Sequence, residues 1–311
     1  MADKYGTNLE KGRSYFLYAN FLSQWKHHFR DSLQWYRTGM HISLSSGDRV
    51  YASFSQLHIG VSMLTLGSNL SDALQAAEEC FEAVHAWSAS VQTNILVISI
   101  IRTIKALQGQ TLYNTPEVFD GDDGFNSEHF ITESTRESSN IDVSLNWYET
   151  YKMIPLVLYG YIDTAIETGY RSVKSMYLHP CHKHTRLLLF YFSLALINKL
   201  RRDENELGQE ERQEIMGRIT KNQEMLYEWA INSRINYMMY WLLVEAELKS
   251  LGKAFDLENA SRLYEEAMDI AREGAWYLEL CIINEYAGTF YLRIGMRNIA
   301  YNFIKKVNKK K

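Results

Sequence analysis

The sequence predicts an all-α chain built from successive helical hairpins. Apolar residues keep returning at helical spacing, and the 311 residues include only 3 prolines and 17 glycines, so few positions interrupt long helices. Hydrophobic residues at 46% against charged residues at 23% can fill a large core, which excludes a disordered chain. The length fits either two compact domains or one elongated stack, and repeats must decide between them.

The clearest helix runs from Asn259 to Glu273. Ala260, Leu263, Tyr264, Ala267, Ile270 and Ala271 share one face; Arg262, Glu265, Glu266, Asp269 and Arg272 share the other; Gly274 follows where a C-cap belongs. Small Ala beside large Leu and Tyr lets helix backbones approach closely, as in the second helix of a tetratricopeptide-like hairpin. Leu70, Ala73, Leu74, Ala77, Phe81 and Val84 form a second such stripe, with Asp72, Glu78, Glu79 and Glu82 pointing away. Arg30-Asp31-Ser32-Leu33 matches Ser71-Asp72-Ala73-Leu74 at an offset of about 41 residues, and Asp163-Thr164-Ala165-Ile166 repeats the small-then-apolar step. Gly47-Asp48, Gly67-Ser68, Gly160 and Gly252 mark expected turns.

Taken in order, the hairpins fall at 12–47, 50–90, 91–108 continuing at 141–177, 181–234, 236–274 and 275–307. That is a tetratricopeptide-like α-solenoid of about six degenerate hairpins. The expected organisation is a lead-in at 1–11, hairpins over 12–108, an acidic surface insertion at 109–140, hairpins over 141–307 and a basic tail at 308–311. Within the insertion, Val118, Phe119, Phe125, Phe130 and Ile131 are expected to dock on the helices. Pro155 stands inside the run Leu145–Tyr161 and predicts either a kink or a helix that starts near it.

The formal charge of −4 is small for this length. The one basic cluster, Lys305-Lys306 with Lys309-Lys310-Lys311, reads as a solvated tail rather than a nucleic-acid or acidic-membrane contact. Cys80, Cys181 and Cys281 are isolated, and no signal-peptide pattern stands at Met1-Ala2-Asp3-Lys4, so a reducing, cytoplasmic setting is expected. The most apolar stretch, Ile95 to Ile104, carries Arg102 and is shorter than the roughly 20 residues a bilayer requires, so it reads as a buried helix.

Motifs that carry chemistry are weak. Gly6 to Gly12 with Arg13-Ser14 echoes a phosphate loop but has the wrong spacing, no preceding strand and Arg for Lys. Asp120-Gly121-Asp122-Asp123-Gly124 suggests a calcium loop, yet Gly124 and Ile131 occupy the fifth and twelfth positions where an EF-hand needs ligands; a hydrated acidic turn is the plainer reading. His179-Pro180-Cys181-His182-Lys183-His184 is the densest group of possible metal ligands. Structural zinc wants a second converging pair, and Pro180 marks a turn, so an exposed inter-helix loop is expected there. No Gly-x-Ser-x-Gly, His-Glu-x-x-His or His-Arg-Asp signature occurs. Trp25, Trp35, Trp87, Trp147, Trp229, Trp241 and Trp276 recur at helix-packing positions and read as core, with a groove for a partner peptide as the competing role.

Gly12-Arg13-Ser14-Tyr15-Phe16-Leu17-Tyr18, Trp25-Lys26-His27-His28 and Ser46-Gly47-Asp48 with Val50-Tyr51-Ala52 resemble the helical region that follows the STAND-type ATPase module of large hybrid sensor histidine kinases. Thr115-Pro116, Phe119-Asp120-Gly121 and Phe125 resemble that region's acidic linker. Asn284-Glu285-Tyr286-Ala287, Phe290-Tyr291-Leu292, Gly295 and Ile299-Ala300 resemble its end, so the likeness runs from about Tyr5 to Val307. It implies a spacer between an ATPase switch and a GAF and kinase output. The family's phosphoacceptor histidine, ATP lid and receiver aspartate have no counterparts here, so no catalytic, cofactor-binding or metal residue is assigned. The expected role is non-catalytic coupling to neighbouring signalling domains or partner proteins, without nucleic acid or membrane, and with self-association possible through the solenoid ends. A free-standing tetratricopeptide-like adaptor is the alternative, with Lys221, Asn222 and Arg234 as candidate grips for a terminal carboxylate.

Overall fold

A computed structural model describes residues 6–308 apart from 68, 88, 89, 122, 179–181 and 253–254. The described residues form fourteen α-helices and no strands. They are α1 Asn8–Leu17, α2 Ser32–Ser45, α3 Arg49–Thr65, α4 Leu70–Trp87, α5 Val91–Leu107, α6 Ser127–Glu137 and α7 Asp142–Leu158. These are followed by α8 Ile162–Ser175, α9 Thr185–Arg202, α10 Gln209–Asn232, α11 Arg234–Lys249, α12 Leu257–Glu273, α13 Tyr277–Arg293 and α14 Arg297–Asn308. Among the described residues, no helix is long and apolar enough to cross a membrane.

Local chemistry accounts for the helix ends. Thr7 and Glu10 form a capping box at the start of α1, the Glu10 amide donating to the Thr7 hydroxyl at 3.4 Å and the Thr7 amide to the Glu10 carboxylate at 2.8 Å. Turns between helices repeat one device. After α2 a left-handed Gly47 (φ 78°) lets the Asp48 amide donate back to Ser43 O at 2.8 Å, and after α7 Gly160 (φ 84°) does the same for Tyr161 and Leu156 O. At the end of α12 the device recurs at the same position, but with alanine in place of glycine. Gly274 caps the helix in right-handed geometry, and the left-handed position falls on Ala275 (φ 50°), whose successor Trp276 donates to Ala271 O at 2.8 Å.

The chain divides into two compact units, Met1–Tyr191 and Phe192–Lys311, with the boundary inside α9. In the first unit α1 packs on α2, α2 on α3, α3 on α4, α4 on α5, α5 on α7 and α7 on α8; α1 also meets α3, and α3 meets α5. In the second, each helix from α10 to α14 packs on the next, and α11 also meets α13. Small residues set the closest approaches. A Cβ on Gly12 would lie 2.4 Å from Ser43 Oγ, and one on Gly39 would lie 3.1 Å from Tyr15 Cβ, so α1 and α2 touch through glycine. Gly12 is therefore a packing residue inside a helix, not part of a phosphate loop.

The expected helix Asn259–Glu273 forms, starting two residues earlier behind an Asp256 cap, with Ala260, Ala267 and Ala271 fully buried. In α4 the buried row is Ala73, Ala77, Cys80 and Val84, while Leu74 and Phe81 are only half-buried, so the packed face is rotated toward the small residues. Trp147 and Trp276 are buried; Trp25, Trp35, Trp229 and Trp241 are half-buried, and the Trp87 side chain lies outside the described residues. Burial pushes the Cys80 thiol up to about 12; Cys281 is half-buried and Cys181 lies outside the described residues. Residues 109–140, expected as a surface insertion, include helix α6, and Val118 and Phe119 are fully buried. Phe119 meets Tyr148 edge-on at 5.3 Å, and Phe130 lies 6.0 Å from the same ring.

Pro155 does not start a helix, because α7 begins thirteen residues upstream at Asp142. It sits in the last turn, where its missing N–H frees the carbonyl of Tyr151; the Thr103 hydroxyl on α5 stands 3.3 Å from that carbonyl, with its proton directed to Ser99 O at 2.7 Å.

Candidate functional site

The run His179 to His184 was expected as an exposed inter-helix loop. Lys183 and His184 are core instead, as are Thr185 and Arg186 that follow, while His182 is half-buried. His179, Pro180 and Cys181 lie outside the described residues. The Lys183 Nζ donates to Ala19 O at 2.9 Å, Ser32 Oγ at 2.9 Å and Tyr36 OH at 3.3 Å, and lies over the rings of Phe29 and Tyr36. Ala19 stands in a π-helical turn, Tyr18–Leu22, which offers its carbonyl both to this amine and to Ser23 Oγ. Arg186 donates to Lys183 O and stacks on Phe29 at 4.6 Å. Burial, with the guanidinium of Arg186 nearby, holds the Lys183 amine well below its ordinary value.

Histidines surround Trp147 in this unit. His184 Nε2 lies 3.0 Å from Asn146 Oδ1, which can only accept because the Asn146 amide nitrogen donates to Ser172 O at 2.7 Å; the proton therefore sits on Nε2. His58 Nδ1 donates to Phe54 O at 2.8 Å, its Nε2 is buried with no hydrogen-bond partner, and burial pushes its pKa down to about 3, so the ring is neutral. His182 packs edge-on against Phe21 at 4.9 Å. Among the described residues no three His, Cys, Asp or Glu side chains are placed to hold a metal ion.

In the Asp120–Gly124 turn, Asp120 is built into the fold while Asp123 and Gly124 stay exposed. Asp120 is buried and accepts from Asn126 Nδ2 at 3.0 Å and from the Ser127 amide at 2.8 Å, which anchors the start of α6. Asp123 takes Arg102 at 2.6 Å and Lys105 at 3.1 Å; partial burial raises its pKa, but these cations outweigh that and hold it at about 2. Arg102 also donates to Phe119 O at 2.6 Å and stacks on Phe125 at 4.5 Å. Asp122 lies outside the described residues.

The second unit holds a groove of about 890 Å³ near the ends of α9, α11 and α13. Beneath it, Glu247 is fully buried and accepts from Arg201 Nη2 at 2.7 Å and from the Tyr264 hydroxyl; Arg293 Nη2 stands 3.9 Å from the same carboxylate oxygen. Ser250 Oγ accepts from both guanidiniums, at 2.9 Å from Arg201 and 3.5 Å from Arg293, and itself donates to Glu247 O. Two arginines from different helices are thereby drawn to one point on the groove wall. Burial lowers the Arg293 pKa and the Glu247 charge opposes that; burial beside Glu247 raises the Tyr264 hydroxyl well above its ordinary value. Phe255 stacks on buried Phe290 at 5.9 Å while remaining 42% exposed, which leaves an aromatic face open to the groove.

No protein-family model and no curated protein sequence matches this chain. The groove and the Lys183 cluster therefore rest on their own geometry.

The candidate grips Lys221, Asn222 and Arg234 do not converge. Asn222 is buried and donates to Ser193 Oγ at 3.1 Å, Lys221 is exposed on α10, and Arg234 pairs with Glu266 at 3.2 Å. Of the basic tail, Lys305 and Lys306 are exposed, Lys306 lying over the Phe303 ring at 5.0 Å; Lys309, Lys310 and Lys311 lie outside the described residues. The groups that sequence reasoning missed are Arg102, Lys183, Arg186 and Glu247. One signal was available: Glu247 sits four residues after Leu243 and three after Val244, and so on the buried stripe of α11.

Proposed function

We propose that this chain is a non-catalytic, tetratricopeptide-like α-solenoid module that couples neighbouring domains or partner proteins in a histidine-kinase-type phosphorelay protein of the cytoplasm. The observation that carries the reading is the packing of helices on their sequence neighbours and on their next-but-one neighbours, joined by recurring left-handed turns. Such stacks present extended surfaces and transmit displacement along their length, because each hairpin is held by its neighbours. The buried bonds from Lys183 to Ala19 and Ser32 add a tie across the first unit, so a force on its first helices is felt at the start of α9. The family likeness of the N-terminal and C-terminal motifs supplies the signalling context.

The test is to read the transcript on both sides of this segment. The proposal expects ATPase-coding sequence upstream and GAF or kinase-coding sequence downstream; a transcript with neither refutes the phosphorelay assignment.

A further inference from the structure

We propose that the groove of the second unit binds a small organic anion that carries a flat apolar ring. Its volume of about 890 Å³ suits a small molecule with room for ordered water. Four cations line it, Arg201, Arg212, Lys249 and Arg293, against the carboxylates of Glu204 and Glu245 in its wall and Glu247 beneath it, which leaves an excess of one positive charge. The chain as a whole carries a formal charge of −4, so this positive excess is local. The C-terminal ends of α9, α11 and α13 bring partial negative charge to the wall and the first turns of α10 bring partial positive charge, so the attraction for an anion rests on the side-chain cations.

Two features make this a built site rather than a scatter of surface charge. Arg201 is held by fully buried Glu247 at 2.7 Å and by Ser250 at 2.9 Å, and Arg293 stands 3.9 Å and 3.5 Å from the same two groups, so the Arg201 guanidinium is ordered before an anion arrives and Arg293 is already beside it. Phe255 offers a ring backed by Phe290, which is only 1% exposed, so a flat ligand would stack on a rigid support. A long polyanion is disfavoured, because Glu204 and Glu245 interrupt the basic lining and no continuous track of cations results. The ligand class follows: one anionic head for the paired arginines and one planar apolar body for Phe255. The inference goes beyond the coupling role and stands or falls separately from it, since binding is read on the isolated chain and the coupling role on the transcript.

The experiment uses 1-anilinonaphthalene-8-sulfonate as the anionic probe and N-phenyl-1-naphthylamine, which lacks the sulfonate, as its neutral counterpart. Fluorescence titration of the full chain is expected to show saturable binding of one anionic dye per chain, with the neutral dye weaker by about tenfold. Arg293→Gln and Lys249→Gln should each weaken the anionic dye several-fold and leave the neutral dye unchanged, whereas Phe255→Ala should weaken both. Added salt should raise the dissociation constant of the anionic dye alone. Equal affinity for the two dyes overturns the proposal, as does non-saturable binding, or an unaltered anionic-dye affinity in Lys249→Gln and Phe255→Ala. Lys249 is exposed and Phe255 partly so; these two variants keep the test decisive even if Arg293→Gln fails to fold.

Discussion

Replacing Lys183 with methionine tests whether a buried amine is neutral in the folded chain. Lys183 is buried among Ala19 O, Ser32 Oγ and Tyr36 OH, with Arg186 as the nearby charge and no carboxylate among its bonded partners. Its folded pKa is depressed, so below the unfolded value of 10.5 the unfolded chain holds a proton that the folded chain has released. Unfolding then takes up a proton, and stability rises with pH until it is fully present above 10.5. The slope for one proton is about 1.4 kcal/mol per pH unit, and it is lost as pH falls through the folded pKa.

Methionine should remove that slope at a modest fixed cost. Each acceptor keeps another partner: Ala19 O has Ser23 Oγ at 2.8 Å, Ser32 Oγ has Ser23 Oγ at 3.0 Å, and the Tyr36 hydroxyl has Asn20 Oδ1 at 3.3 Å. No buried group is orphaned, so the fixed loss is about 1 kcal/mol, seen in full only above pH 10.5; at lower pH methionine also spares the chain the cost of releasing the proton, about 1.4 kcal/mol for each unit that the slope spans. Urea unfolding at pH 7, 8 and 9 measures both quantities. The native chain should gain stability relative to Lys183→Met by about 1.4 kcal/mol for each unit of pH. Parallel pH curves, with the variant several kcal/mol weaker throughout, would refute the reasoning and show a charged ammonium stabilised by its three acceptors.

Three further outcomes are expected. His58 is neutral in the fold with its pKa near 3, against 6.5 unfolded, so its contribution is complete above pH 6.5 and is lost as pH falls toward 3; His58→Asn should flatten the acid limb by about 1.4 kcal/mol per unit, read by thermal unfolding at pH 4, 5 and 6. Ala275→Gly relieves a left-handed alanine at φ 50° and should stabilise the second unit by about 0.5 kcal/mol, since relief of strain exceeds the added unfolded-state entropy; a lower melting temperature would count against it. Glu247→Gln leaves Arg201 and Arg293 facing one another and should cost about 2 kcal/mol, less than for a sealed pair because the guanidinium side chains remain 21% and 30% exposed; unchanged denaturant stability contradicts that account.

Much of the helical content was legible because it depends on local rules. Asn259 to Glu273 declares itself by period alone, and Gly47 and Gly160 mark turns because few other residues tolerate their dihedral angles. The candidate sites were not legible in the same way. The 179–184 run carries ligand-type residues next to a proline, which reads as an exposed loop, yet Lys183 and His184 enter the core because partners from the Tyr18–Leu22 turn, α2 and α7 meet them there. Likewise, Asp123 looks like part of an acidic turn until Arg102, 21 residues away, is seen to hold it.

What the sequence by itself determined is the all-α class and the helix of Asn259–Glu273 with the turns at Gly47 and Gly160, since periodicity, capping and turn chemistry act over a few residues. Only the tertiary structure decided which charges are interior. The amine of Lys183 finds its acceptors 147 to 164 residues away, and Glu247 is enclosed by arginines 46 residues on either side. A buried charge is tolerable only where distant groups converge on it, and such convergence is a property of packing that no local pattern encodes.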